Sequence, residues 1–178
     1  MTGQLRYETC NVKRNTTMKK MMTMVALAVW MLTGCISQQQ RLERQAATAQ
    51  AVRQAVETRQ LTVEVRFMQT QRYGSHRVGS DFFLRLRGDT LDSYLPFLGR
   101  AYTAPLGSPS QGLNFTLAIE HFRRSPLNDG GVRLEMSVRS EEDRFDYRLD
   151  VFPNGKAYIH VRPQERDAVS FDGEAVLF

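Results

Sequence analysis

Three histidines, two cysteines and two short polar clusters are the residues of this 178-residue chain whose types could do chemistry. A helical metal site needs two histidines four residues apart. His76, His121 and His160 instead fall on three separate segments, so the spacing predicts solvated imidazoles and no metal site. GSPSQG, Gly107 to Gly112, sets serines between glycines. A nucleophile elbow needs glycine two residues either side of its serine and a helix after it. Ser110 has Ser108 two residues before it and a strand pattern after it, which makes the stretch a loop. SEEDRFD, Ser140 to Asp146, gathers Glu141, Glu142, Asp143 and Asp146 without the alternating ligands and central glycine of a calcium loop. It reads as a hairpin loop with solvated charge. With no nucleophile and base in a recognisable arrangement, the sequence predicts no catalytic residue and no enzymatic activity.

The elements that must position these residues follow from periodicity. Gln38 to Gln60 has no Gly or Pro and is built of good helix formers. Its apolar residues Leu42, Ala46, Ala49, Val52 and Val56 recur at intervals of four, three, three and four, which puts them on one helical face. So narrow a stripe of small side chains predicts light docking against a sheet; a solvated spacer of roughly 30 Å is the alternative. From Leu61 the period becomes two. Leu61, Val63, Val65 and Phe67 alternate with polar residues, as do Phe82, Leu84 and Leu86, and then Leu113, Phe115, Leu117 and Ile119. Val132 to Val138, Phe145 to Val151, Ala157 to Val161 and a last segment from Val169 continue the pattern, with a hairpin at Asn154-Gly155. The expected fold is mainly β: an N-terminal helix, then a curved antiparallel sheet of about seven or eight strands, as a sandwich or a half-open barrel.

Ahead of these elements, Lys19-Lys20 precede twelve residues, Met21 to Leu32, whose only polar member is Thr23. A helix needs about 20 apolar residues to span hydrocarbon, so this run is a secretory leader rather than a span. Leu32-Thr33-Gly34-Cys35 at its end resembles the lipobox of bacterial lipoproteins. That resemblance implies alkylation of the Cys35 thiol by diacylglycerol and cleavage just before Cys35, leaving a diacylglycerol/acyl lipid on that residue and no other cofactor. A start at Met18 gives a leader of ordinary proportions and makes Met1 to Thr17 an upstream extension; a start at Met1 is the alternative. The expected organisation is therefore 1–34 removed, 35–60 lipid-anchored cysteine and helical spacer, and 61–178 antiparallel β domain.

Removing the leader changes the electrostatics. The whole chain has 24 Lys and Arg against 19 Asp and Glu, net +5. Residues 1–34 hold five of those basic residues and one acidic residue, so 19 against 18 remain, net +1. A nucleic-acid partner then has no basis. Cys10 goes with the leader and Cys35 carries lipid, so no disulfide is expected, and 144 residues must hold themselves by core burial.

DSYLPFLGRAYTAPLG, Asp92 to Gly107, crowds large apolar groups around Pro96, Gly99 and Pro105. It predicts either a loop that plugs one end of the sheet or the lip of an apolar cleft, with Tyr94, Leu95, Phe97, Leu98, Arg100 and Tyr102 as ligand or partner surface. DTL, Asp89 to Leu91, is similar to the O-glycosylation acceptor pattern of exported proteins in Bacteroides-type bacteria, which implies modification of Thr90; a plain turn gives the same residues.

YLPFLGRAY at Tyr94 to Tyr102, GLNF at Gly112 to Phe115 and DVFPNGKAYIHVRPQERDAVSFDG at Asp150 to Gly173 together resemble a family of small Bacteroides-type lipoproteins, domain of unknown function 4251. The resemblance implies a compartment and a domain outline but no activity. Ile36 is not the aspartate that retains lipoproteins in the inner membrane, and ISQQQR lacks the acidic residues of a surface-export signal. Both imply the periplasmic face of the outer membrane. The expected role is a non-enzymatic binding module for an apolar ligand or envelope lipid, with an accessory subunit of an envelope complex as the alternative.

Overall fold

The structure, a computed structural model, describes residues 38–100, 112–141 and 143–177. Two compact units divide the chain, Met1–Arg44 and Gln45–Phe178. The described part of the first is helical. Cys35, Tyr102 and Ser110 lie outside the described residues.

Helix α1 runs over 38–57. Within the second unit it buries Val52 and Val56 in the core and half-buries Ala55. These are the last members of the predicted stripe, and the two valines contribute about 1.5–3 kcal/mol each. The helix stops at Arg59, which takes a left-handed conformation at φ 53°. Three contacts fix that residue: its carbonyl accepts the Gly88 N–H (2.8 Å), its guanidinium pairs with Asp89, and the same guanidinium lies 4.1 Å from the Phe122 ring centroid.

Nine strands follow: β1 (Gln60–Thr70), β2 (Gly74–Arg77), β3 (Phe83–Arg87), β4 (Thr90–Leu95), β5 (Leu113–Pro126), β6 (Val132–Arg139), β7 (Arg144–Val151), β8 (Lys156–Pro163) and β9 (Val169–Val176). Neighbours pair antiparallel in chain order from β3 to β9. β2 and β3 share one edge of β1: Gln60–Glu64 pair with Phe83–Arg87, and Phe67–Thr70 with Gly74–Arg77. The other edge of β1 pairs with β9 from Thr62 to Thr70, which closes an eight-stranded barrel with β2 as an extra strand. The alternation thus gives the mainly β fold it predicts, and the β1–β9 pairing closes the sheet fully where a sandwich or a half-open barrel is expected. The predicted hairpin is present, with Gly155 at φ 82° and the Phe152 N–H donating to the Lys156 carbonyl at 2.9 Å.

An eight-stranded barrel is just wide enough for its own side chains to fill. Here Leu113, Leu134, Val138, Ile159 and Phe171 are fully buried inside it, together with one polar pair. The Ser93 hydroxyl donates to the Leu113 carbonyl (2.8 Å), and the Tyr147 hydroxyl lies 3.1 Å from Ser93 Oγ. Burial pushes the Tyr147 phenol far above its ordinary range. The outward positions carry Arg, Asp, Glu and His, the reverse of the apolar outer band of a transmembrane barrel. No helix among the described residues is long and apolar enough to cross a membrane.

Two bulges interrupt the ladder, at Arg66 in β1 and at Glu120 in β5. Each inserts one residue, so the inward parity flips beyond it. Leu61, Val63 and Val65 point inward as predicted, but Phe67 does not: it is 43% exposed, and Met68 is buried in its place. In β5 the inward series Phe115, Leu117, Ile119 resumes at Phe122.

Candidate functional site

The segment singled out by its aromatic residues divides as it leaves β4. Leu95 is fully buried in the core, and Pro96 ends the strand. Tyr94 points outward, 42% exposed, and stacks on Phe82 at a centroid distance of 5.5 Å, with Phe83 at 5.9 Å. Phe97 packs half-buried against the core, its ring centroid 5.7 Å from the Arg166 guanidinium, while Leu98 stays 41% exposed. Arg100 is held through its backbone: its N–H donates to Asp167 Oδ2 (3.1 Å), and its carbonyl accepts the Asp167 N–H (3.0 Å). Residues 96–100 are thereby fastened to the β8–β9 loop. Thr90, the predicted glycosylation residue, opens β4 just after the Gly88-Asp89 turn and is partly exposed.

The acidic loop departs from its predicted solvation. Asp143 is buried, and its Oδ1 accepts the backbone N–H groups of Arg144 (2.7 Å), Gln164 (3.0 Å) and Glu165 (3.2 Å). Oδ2 faces Arg166 Nε at 3.9 Å. One carboxylate therefore joins the β6–β7 loop to the β8–β9 loop, a structural tie that the run of charges in the sequence conceals. Among the described residues no cluster of His, Cys, Asp or Glu is placed to hold a metal.

A groove opens on the outer face where the β1 bulge turns Phe67 outward. Its volume is about 760 Å³, within the ~300–1,000 Å³ of small-molecule sites. Register explains its shape. Phe67, Asp172 and Tyr158 stand in one cross-strand row over β1, β9 and β8. In the next row Gly173 and Ala157 face the interior, so the floor between the outward side chains is their backbone. Phe152, Pro153 and Asn154 of the β7–β8 loop, with Asp129, make the end wall. The walls are apolar and the rim is charged. Arg66 pairs with Glu174 at 2.8 Å, and Gln69 Nε2 donates to Asp172 Oδ2 at 2.6 Å. Lys156 makes no ion pair among the described residues, so it is the rim cation available to an incoming anion. The arrangement suits a molecule with an apolar body and an anionic end.

Phe152 to Tyr158, Asp172 and Gly173 fall within a segment that carries the family resemblance, but no motif marks Arg66 or Phe67. The signal in the sequence is a break in phase: after strict alternation from Leu61 to Val65, Phe67 and Met68 stand side by side, as they must when one residue bulges out of the ladder.

The family model described as Domain of unknown function (DUF4251) matches residues 43–175. The crystal structure of a DUF4251 family protein from Bacteroides eggerthii DSM 20697 is similar with a TM-score of 0.56 at 12% identity, covering 74% of this chain and 89% of that one. No curated protein matches the sequence.

Proposed function

This chain belongs to the DUF4251 family, and on that premise we propose that it is a lipid-anchored, non-enzymatic envelope module whose outer groove binds an amphipathic molecule such as an envelope lipid. The observation that carries the reading is Phe67, an aromatic ring turned out of the barrel by a bulge onto a groove with apolar walls, with Lys156 on the rim beside Glu174 but in no ion pair among the described residues. The apolar body of the ligand lies along Phe67, Phe152 and Tyr158, and its anionic end pairs with Lys156. The packed barrel supports an outer site over an internal one, since Phe171 and Ile159 fill the interior.

Native mass spectrometry of protein extracted from its own envelope tests this. The expected result is a bound small molecule, with occupancy falling at least about tenfold in Phe67→Asp, because the ring contributes about 1.5–3 kcal/mol of apolar contact. Phe67 is exposed, so the variant is expected to fold. A protein that is empty in its native envelope, or equal occupancy in the folded variant, refutes the groove.

Anchoring at the periplasmic face of the outer membrane rests on Cys35. One acyl chain binds a membrane only marginally, whereas two or three make attachment lasting. Cys35→Ala is expected to abolish fatty-acid labelling and to release the protein from the membrane fraction. Labelling that persists in the variant excludes this anchor.

A further inference from the structure

The second bulge builds a second groove, of about 540 Å³, across the outer faces of β5 to β8. Its lining differs from the first in kind, because it is dominated by cations. Arg123, Glu135, Arg148 and His160 stand in one row over the four strands, and Arg162 stands in the adjoining row beside Asp146. Arg148 and Arg162 are thus diagonal neighbours, roughly 7–8 Å apart at their origins, with His160 flanked by both.

The carboxylates present compensate these cations only in part, through ion pairs longer than a hydrogen bond. Glu135 reaches Arg123 and Arg148 with one oxygen each, both at 3.9 Å, too far for a hydrogen bond to either. Asp146 is engaged by the Ser137 hydroxyl at 2.7 Å and by Arg144 at 3.8 Å. Arg162 makes no ion pair among the described residues. His160 Nδ1 lies 2.9 Å from Ser170 Oγ, which leaves Nε2 as the ring nitrogen for a ligand.

We propose that this groove is an oxyanion site that takes a phosphate group between the Arg148 and Arg162 guanidiniums, with His160 Nε2 as third donor. Three donors around one point match the several outward oxygens of a tetrahedral anion better than the two of a planar carboxylate, and guanidiniums give paired donors. The groups facing His160 are Arg148 on β7, Arg162 and Tyr158 on β8, and Ser170 on β9. Burial first, then the positive charges of Arg148 and Arg162, holds its imidazole below the ordinary histidine value. A bound phosphate would offset those charges and draw a proton onto the ring.

The phosphate is either free or part of a headgroup, and titration of the full chain in detergent with inorganic phosphate or glycerol 3-phosphate distinguishes them. The readout is the His160 ring resonance, identified by its loss in His160→Gln. The proposal expects a saturable upward shift of the His160 titration. Inorganic phosphate binding as tightly as glycerol 3-phosphate assigns a free anion, and a preference of about tenfold for glycerol 3-phosphate assigns a headgroup. Arg162→Gln should weaken binding about tenfold, while Arg87→Gln, which removes a guanidinium on β3 paired with Asp92, should not. If Arg162→Gln fails to fold, Arg148→Gln takes its place, since both side chains are exposed on the outer face. No saturable shift with either probe, or undiminished binding in the folded arginine variant, overturns the proposal.

Discussion

Gly173→Ala is expected to lose about 3 kcal/mol or more of stability, although alanine in a strand ordinarily gains about 0.5–1 kcal/mol over glycine. Gly173 lies on β9 opposite Val65, at the bulge where β9 closes the barrel on β1. A Cβ there would sit 2.3 Å from the Glu64 carbonyl oxygen, 3.1 Å from its carbonyl carbon and 3.0 Å from Val63 Cγ1. Two of these three atoms are backbone, and β1 is held on both edges, so the clash cannot be relieved by a rotamer change. The strands must part along the seam. Chemical denaturation measures the loss as a lower midpoint at unchanged slope. Gly79→Ala is the control: nothing lies within 4 Å of its Cβ position, and it should be neutral or stabilised by about 0.4–1 kcal/mol. Equal stability of the Gly173 variant and the parent protein would show that the seam can yield. Gly173 also floors the aromatic groove, so even a small separation of the strands should weaken ligand retention.

Asp143→Ala is expected to be comparably severe, with a loss of about 3–5 kcal/mol. The substitution leaves the N–H groups of Arg144, Gln164 and Glu165 without their shared acceptor and removes the buried carboxylate facing Arg166. A buried donor stripped of its acceptor costs about 1–3 kcal/mol. An asparagine at this position would keep an acceptor oxygen but not the charge, so Asp143→Asn should lose less. Amide hydrogen exchange locates the effect: Gln164 and Glu165 should exchange faster in Asp143→Ala, while the paired amides of β6 and β7 respond only through global stability. Unchanged exchange at those two amides would refute the tie between the loops.

Both sites show where the sequence stops being informative. Alternation along Leu61 to Val65, Val132 to Val138 and Phe145 to Val151 is a local property of the chain, so it marks strands and assigns their faces directly. The same holds for Val52 and Val56 on the helical stripe and for the Asn154-Gly155 hairpin, because capping, turn chemistry and amphipathic spacing act over a few residues. A one-residue bulge leaves only a phase slip between neighbouring apolar residues. Phe67 therefore reads as core although it faces solvent.

What only the tertiary structure decides is long-range. The closure of β1 on β9 joins residues 99 to 114 apart in the chain. The docking of Arg100 on Asp167, the burial of Asp143 beneath two loops and the alignment of Arg123, Glu135, Arg148 and His160 across four strands depend on register, which no local pattern carries. The alternation determines that this chain can form a sheet apolar on one face and charged on the other. Which charges then stand together, and which ring is turned outward, is fixed by strand pairing and by two inserted residues, Arg66 and Glu120, because each insertion reverses the face of every side chain beyond it.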